Sequence, residues 1–161
     1  MSLNFKLIFF IFVISTYLLL KKSIMKITQR LITDISYKII GCVIEVHKQL
    51  GPGLIESVYQ TCLVEELKMR GLKVQSEMSI PILYKGKNLG GQLRLDLLVE
   101  DLIVVELKAV EEMIPLYQAQ LLSYLKLTSK PKGLLFNFHC ENIRSQLVSM
   151  VTKEFELLPK E

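Results

Sequence analysis

The stretch "LRLDLLVEDLIVVELKAV", residues 93–110, predicts two strands of a buried sheet, because it is rich in Leu and Val. The predicted strands also contain four charged residues, Arg94, Asp96, Glu106 and Lys108. Burying a charge costs free energy unless the charge is paired, hydrogen-bonded or bound to a metal ion. These four side chains therefore need a specific arrangement.

The turn between the two strands decides whether the charges meet. Side chains alternate between the faces of a strand, so Glu106 and Lys108 share one face. In the preceding strand, Arg94 and Asp96 share one face for the same reason. A two-residue turn would separate the two carboxylates, whereas a three-residue turn, 100–102, would place Asp96 opposite Glu106. In that register, Arg94 would lie opposite Lys108.

Carboxylates on opposed residues would lie close together, since opposed Cβ atoms in an antiparallel pair are about 4.5–5.5 Å apart. They repel each other unless a cation or a proton joins them. Lys108 and Arg94 would offset part of this repulsion, and a hard divalent cation would offset more. The three-residue turn thus predicts a magnesium site at Asp96 and Glu106, beside Lys108. The alternative is an ordinary cluster of cross-strand ion pairs on a solvated face, which contributes little to stability.

Two helices are predicted before this stretch. Apolar residues recur at helical spacing over residues 35–50, and "GPG" at 51–53 ends that pattern. A second helix is expected over roughly residues 54–70, with Gly71 in the position after the helix that glycine favours.

The remaining elements are mostly strands. "LKVQSEM" and "IPILYKG" predict two short strands, which the Gly-rich "KNLGGQ" joins to the opening stretch. Pro115 favours the first turn of a helix over residues 115–128, and "KPKGLLFNF" predicts another buried strand. The tail, 142–158, fits either a strand or a short helix. The order α–β–β–β–β–α–β predicts an α/β or α+β fold in which helices cover a layered sheet, with residues 25–161 as one domain.

Two helical residues are further site candidates. Glu56 shares a helical stripe with Tyr59, which directs it towards the apolar face, although an acid in the first turn also simply favours the helix dipole. Gln120 is directed inward with Tyr117 and Tyr124, where it could equally be a polar group satisfied at a layer boundary.

Composition excludes several classes of function. The net charge of the 161 residues is +4, but residues 25–161 carry 17 basic and 16 acidic side chains, so strong non-specific nucleic-acid binding would need a local basic patch. The two histidines cannot form a His-rich zinc site, and neither G-x-S-x-G nor G-x-x-x-x-G-K-[ST] is present. Three widely spaced cysteines favour free, buried thiols in a reducing cytoplasm.

The first 24 residues differ from the rest of the chain. Residues 7–20 are almost entirely apolar and are flanked by lysines. This run is short for a membrane-spanning helix, and no A-x-A-like cleavage site follows it. The segment is therefore interpreted as a weak membrane tether, a signal-like segment, or sequence upstream of a start at Met25. Membrane contact is expected only if residues 1–24 are retained.

The motifs and their order resemble the PD-(D/E)xK nuclease superfamily and, within it, the bacterial and archaeal GxxExxY family. "GPGLIESVY" matches the naming motif through Gly53, Glu56 and Tyr59. The similarity covers about residues 30–140 and includes the strand pair "RLDLLVED" and "IVVELKAVE", the helix "AQLLSYLKLT" and the strand "GLLFNF".

This resemblance implies a core of α–β–β–β–α–β with a central mixed sheet flanked by helices. It implies that Asp96 and Glu106 are metal-binding carboxylates and that Lys108 is the catalytic lysine. Glu56 would be a further acid at the metal or next to it.

Two residues of the last predicted helix also bear on activity. Gln120 resembles a glutamine that several branches of the superfamily place beside the site. Tyr117 stands where many relatives have His, so any part which that His plays in the chemistry is absent here.

The implied function is hydrolysis of phosphodiester bonds in DNA or RNA, with Mg²⁺ or Mn²⁺ as cofactor. Many nucleases of the superfamily act as dimers, so the resemblance leaves both a homodimer and a monomer open, and the predicted location is the cytoplasm. The alternative is a catalytically silent module that retains the nuclease fold and binds nucleic acid or a protein partner. The near-neutral charge and Tyr117 favour this alternative.

Overall fold

The computed structural model describes residues 26–161, which form a five-stranded sheet with helices on both faces. A short 3-10 helix precedes the last strand. The predictions for residues 1–24 lie outside the described part. The elements are α1, Gln29–Leu50; α2, Glu56–Met69; β1, Val74–Tyr84; β2, Lys87–Val99; β3, Ile103–Lys108; α3, Pro115–Thr128; β4, Lys132–Asn137; the 3-10 helix, Ile143–Gln146; β5, Leu147–Val151; and α4, Lys153–Glu156.

The sheet is mixed, with its strands in chain order from β1 to β5. Three neighbouring pairs are antiparallel, whereas β3 and β4 are parallel. A parallel pair requires a long crossover connection, and α3 lies in that connection. The predicted fold class, a mixed sheet flanked by helices, is confirmed.

Each face of the sheet has its own apolar core. Helices α1 and α2 pack on one face, where Ile39, Leu63 and Val105 are fully buried together. Helix α3 packs on the other face, where Leu125 is buried with Val104. Because helices cover both faces at the centre, all six residues of β3 are buried.

Helix α1 begins six residues before its predicted start. The Thr28 hydroxyl accepts a hydrogen bond from the Leu31 N–H at 3.1 Å, which caps the first turn. Its end is as predicted, since the chain leaves the helix at Gly51, whose φ is +66°. Apolar spacing revealed the packed part of this helix and not its capped, more polar first turn.

The prediction of two short strands over residues 72–86 is wrong. "LKVQSEM" and "IPILYKG" belong to one strand, β1, and "KNLGGQ" belongs to β2 rather than to a connecting loop. The two strands form a long hairpin through a two-residue turn, Lys85-Gly86, in which both residues have positive φ. This conformation matches the twist of the paired strands, so it holds the Gly-rich segment in a strand.

The tail contains both elements that its sequence left open. β5 pairs with β4, and α4 follows it. Within residues 26–161, no helix combines the length and apolarity needed to cross a membrane.

Candidate active site

The turn between β2 and β3 has three residues, 100–102. The strand pair is in register from Leu97–Val105 to Val99–Ile103, as a three-residue turn predicts. Among the described residues the ladder stops at Leu97–Val105, so it does not include the predicted pairs Asp96–Glu106 and Arg94–Lys108.

The turn adopts a backbone conformation that its residue types do not predict. Glu100 and Asp101 have φ values of +53° and +59°, which are unusual for residues other than glycine. Tertiary contacts stabilise this conformation: the Glu100 carboxylate accepts the Lys73 N–H at 2.7 Å, and the Asp101 carboxylate pairs with the Lys130 ammonium at 2.7 Å.

The charged residues of β3 are buried, so a solvated face does not describe them. The side chains of Glu106 and Lys108 are 2% and 11% exposed. They share the face of β3 on which Val104 packs against α3. The sheet thus places two charges inside a layer interface, where their environment changes their chemistry.

The Lys108 ammonium makes two hydrogen bonds and one contact with an aromatic ring at the end of β3. Its Nζ donates to Glu106 Oε1 at 2.8 Å and to the Leu107 carbonyl at 2.9 Å. It also lies 5.5 Å from the centre of the Tyr117 ring, within cation–π range. The Tyr117 ring thus lies against the lysine.

Glu106 has one carboxylate oxygen that is not satisfied. Its Oε1 accepts from Lys108, but Oε2 is buried without a hydrogen-bond partner. An unsatisfied buried polar atom costs free energy, so it marks a place where a proton, a cation or a ligand would be stabilised.

Asp96 interrupts the ladder between β2 and β3. The recorded ladder ends at the Leu97–Val105 pair, and beyond it Asp96 Oδ2 accepts the Leu107 N–H at 2.8 Å. The side chain therefore takes the place of a backbone acceptor. Gln60 of α2 also donates to the Asp96 carbonyl, at 3.3 Å.

Side-chain alternation also breaks at Asp96. Leu97 packs on the α1–α2 face, whereas Leu95 packs on the α3 face, although residues two apart normally share a face. Across β1, Glu77 has a φ of +54°, so both strands are distorted at the same level. Arg94 lies beyond the β2–β3 ladder and is 3.6 Å from the Glu77 carboxylate. It is therefore not part of the buried group that strand alternation suggested.

Glu56 is the first residue of α2 and is half-buried. Burial raises the pKa of its carboxyl, the charge of Lys108 opposes this, and Asp96 adds to it. Glu56 is thus electrostatically coupled to both residues, as expected if α2 directs it towards the ends of β2 and β3.

Tyr59 fixes the loop that leads to Glu56, a role that sequence spacing did not reveal. Its hydroxyl donates to the Gly51 carbonyl at 2.7 Å and accepts from the Leu54 N–H at 3.1 Å. Its ring is fully buried and stacks on Phe138 with 4.3 Å between centroids. Tyr59 lies one helical turn after Glu56, so the residue that holds the preceding loop is close to the acid in α2.

Burial and mutual repulsion shift the carboxylates in the same direction. Burial raises the pKa of Glu106 to about 7, with Asp96 adding to this effect and Lys108 opposing it. Burial also raises the pKa of Asp96, while its hydrogen bond from Leu107 acts in the other direction. Burial disfavours charge on Lys108, but the hydrogen bond to Glu106 and the nearby acids outweigh this and raise the pKa of the lysine.

Gln120 is half-buried, and its recorded hydrogen bond is to the Tyr124 hydroxyl at 2.8 Å. No hydrogen bond within residues 26–161 joins it to Glu56, Asp96 or Glu106. Its expected place beside the site stays a prediction.

Asn137 was not a candidate from the sequence, but it holds the neighbouring strand end. It lies opposite Lys108 in the β3–β4 pair and is 2% exposed. Its side chain accepts from the N–H groups of Val110 and His139 and donates to the Val110 carbonyl. The sequence did contain a signal for this role, because Asn137 is the one polar side chain in the apolar run "GLLFNF".

The donor set fits a hard divalent cation, because it is all oxygen and includes the unsatisfied Glu106 Oε2. Asp96 and Glu106 stay the carboxylates predicted to bind it. Among residues 26–161, no group of three or more Asp, Glu, His or Cys side chains could hold a metal ion. Such a site would therefore rely on water or substrate for its other ligands, as Mg²⁺ sites commonly do.

Comparisons with known proteins agree with this geometry at the level of the family. No curated protein and no solved structure matches the chain. The model of a PD-(D/E)XK nuclease superfamily family matches residues 33–150, which run from α1 to β5 and include all the candidate site residues. The chain therefore belongs to the PD-(D/E)XK nuclease superfamily.

Proposed function

We propose that the chain is a metal-dependent nuclease that hydrolyses phosphodiester bonds in nucleic acid. The observation that carries the proposal is the buried Glu106 carboxylate, which has one unsatisfied oxygen, accepts a hydrogen bond from Lys108 and is repelled by the charge of Asp96. Structural ion pairs in proteins normally satisfy their buried oxygens. The arrangement is therefore better suited to a ligand than to stability alone.

The proposed roles follow from the environment of each side chain. Asp96 and Glu106 would hold Mg²⁺ or Mn²⁺, which when bound polarises the phosphate and lowers the pKa of a water molecule. Lys108 keeps its charge at neutral pH because the acids raise its pKa, so its Nζ can donate to a phosphate oxygen as negative charge develops. Glu56 can accept a hydrogen bond from water on the α2 side.

Cleavage assays with labelled DNA and RNA test the proposal. We expect products in Mg²⁺ or Mn²⁺, none in EDTA, and losses of roughly 10²–10⁴-fold for Lys108→Ala and Asp96→Asn. Lys48→Ala removes an exposed lysine of α1 and is the matched control. Equal cleavage by the wild type and both site variants would refute the proposal, since a contaminating nuclease would then account for it.

A second candidate function is a catalytically silent module that binds nucleic acid or a protein partner. The direct bond between Lys108 and Glu106 favours it, because each group neutralises the other. Titration with Mn²⁺ separates the two candidates: a catalytic site binds the ion and loses it in Asp96→Asn, whereas a silent module binds none.

Two finer predictions accompany the proposal without independent support. They are membership of the GxxExxY family and a cytoplasmic location, and the choice between a homodimer and a monomer stays open. The choice between DNA and RNA rests on the same cleavage assay.

A further inference from the structure

The far end of the β1–β2 hairpin extends beyond the helices that cover its base. Every residue from Tyr84 to Gly90 is exposed, whereas Leu95 and Leu97 to Val99 of the same hairpin are buried. We call residues 84–90 the arm. The arm contributes little to the core, so its sequence is free to serve a surface role.

The arm lies in a segment of the chain whose charges are all positive. Residues 78–95 contain Lys85, Lys87 and Arg94 and no acid, whereas residues 25–161 are almost balanced. The acids that bound this segment are Glu77 and Asp96, and both lie at the hairpin base. Arg94 is close to Glu77. Within the part of the chain that the structure describes, no ion pair involves Lys85 or Lys87, so these two lysines form a positive tip.

The tip also presents apolar surface. The Tyr84 side chain is 59% exposed, with Lys85 Nζ 5.4 Å from the centre of its ring. Leu89 is 61% exposed on the partner strand. An exposed aromatic ring flanked by lysines suits a polyanion with flat bases, because phosphates attract the lysines and a base can stack on the ring.

The same strand connects the arm to the candidate site. Lys87 and Asp96 are nine residues apart on β2, which corresponds to roughly 30 Å of strand. In duplex DNA this length corresponds to about nine base pairs, since each strand carries one phosphate per about 3.4 Å. A nucleic acid bound at the site can therefore reach the arm.

We propose that the arm binds the phosphate backbone of the nucleic acid at a distance from the site, with Lys85 and Lys87 as the phosphate contacts. The proposal rests on the proposed function, because the ligand of the arm is the substrate of that site. Charge decides for nucleic acid over a protein partner: the arm has two cations and no acid, and Tyr84 and Leu89 are too few for an apolar interface.

The first test measures binding without metal, so that it does not depend on cleavage. The probe is a labelled DNA duplex of about 20 base pairs, or the RNA strand of the same sequence, long enough to span the roughly 30 Å from site to arm. The variant is Lys85→Ala/Lys87→Ala. The matched control, Lys38→Ala/Lys48→Ala, removes the same charge from the exposed side of α1.

For the arm variant we expect binding at least tenfold weaker at about 0.1 M salt, and a salt slope smaller by about 1.8, as expected for two lost contacts to duplex DNA. The control should bind within about twofold of the wild type. Equal losses in both variants would overturn the proposal, because they would reflect net charge. A wild type that binds neither probe would also overturn it.

A second test uses length and separates this proposal from the proposed function. If the wild type cleaves, the arm variant should lose cleavage of long substrates and match the wild type on substrates of about four base pairs, which cannot reach the arm. Equal cleavage at both lengths would overturn the role of the arm and leave the nuclease intact. Arm-dependent binding without cleavage in any metal would support the arm and remove the nuclease.

A third test addresses self-association. Sedimentation of the wild type and of Tyr84→Ala should give the same mass, because the arm binds nucleic acid rather than a second copy. A loss of mass in Tyr84→Ala with unchanged nucleic-acid binding would identify the arm as a protein interface and overturn the proposal.

Discussion

The two ends of strand β2 carry their charges in different surroundings. At the inner end, Asp96 accepts a backbone hydrogen bond and lies beside the buried pair of Glu106 and Lys108. At the outer end, Lys87 lies in the exposed arm. Burial shifts the pKa of each inner acid, whereas water and salt screen the outer charges. The difference shows that coverage by helices, rather than residue type, separates charged groups with shifted pKa values from screened ones.

The largest expected effect is a difference in cleavage kinetics between variants of Lys108, at the inner end, and Lys87, in the arm. Lys108→Met should lower kcat by roughly 10²–10⁴-fold, because in the proposed function the buried ammonium stabilises charge that develops on the phosphate. Lys87→Met should raise KM several-fold and leave kcat within about twofold, since a screened contact to the backbone contributes to binding alone. Steady-state cleavage kinetics at fixed salt measure both. A fall in kcat for Lys87→Met would erase the distinction between the two ends.

The next effect concerns the pH dependence of stability. Burial raises the pKa of Glu106 to about 7, from an ordinary value of 4.5. The folded state therefore keeps a proton that the unfolded state has lost, so stability should fall as pH rises from about 4.5 to 7. Glu106→Gln stays neutral throughout and should remove on the order of 2 kcal/mol of this decline.

Urea unfolding from pH 4.5 to 7.5 measures this dependence, with Glu65→Gln as the control for an exposed carboxylate of α2. Parallel curves for the wild type and Glu106→Gln would show that Glu106 ionises at its ordinary pH and that its burial has no electrostatic cost.

A smaller effect distinguishes a buried tyrosine from an exposed one. Tyr59→Phe removes the hydroxyl that bonds Gly51 and Leu54, so the free energy of unfolding should fall by about 1–3 kcal/mol. Tyr84→Phe, in the arm, should change it by less than about 0.5 kcal/mol. Urea denaturation compares the two. If Tyr59 also holds Glu56 in place, its variant should lose activity even where it is fully folded.

The smallest effect on the free energy of unfolding is expected for the ion pair of Arg94 and Glu77, which lies between Asp96 and the arm. Arg94 and Glu77 are 3.6 Å apart, but their side chains are more than half exposed. Arg94→Gln should therefore change the free energy of unfolding by less than about 0.5 kcal/mol. Urea denaturation measures this change. A fall in the free energy of unfolding of more than about 1 kcal/mol would show that this ion pair stabilises the fold as a buried pair does.

The fold was predictable where local signals were strong. Pro115 and the helical spacing after it gave the start and end of α3, and the Leu- and Val-rich run gave β3 as a strand of a buried sheet. The arm was not predictable, because its glycines also suit a loop, and only pairing with β1 makes "KNLGGQ" a strand. Asn137 and the hydroxyl of Tyr59 were missed because their partners are backbone groups distant in sequence or across a loop.

The candidate site was predictable in its members and not in its geometry. The sequence supplied Asp96, Glu106 and Lys108 and reduced their meeting to one turn length. It did not reveal that Asp96 breaks the strand alternation, because that break depends on β1, where Glu77 is distorted at the same level.

By itself, the sequence determined the helices before and after the hairpin, the buried strands β3 and β4, the apolar faces and the set of charged residues, because these depend on spacing along the chain. The tertiary structure decided the three-residue turn, since Lys73 and Lys130 stabilise its unusual φ values from other elements. It also decided which charges are buried, because helices α1 to α3 cover β3 and leave the arm exposed. Burial under helices shifts the pKa of a charged group, whereas exposure leaves its charge screened by water and salt. Spacing along the chain does not reveal which of the two environments a residue has.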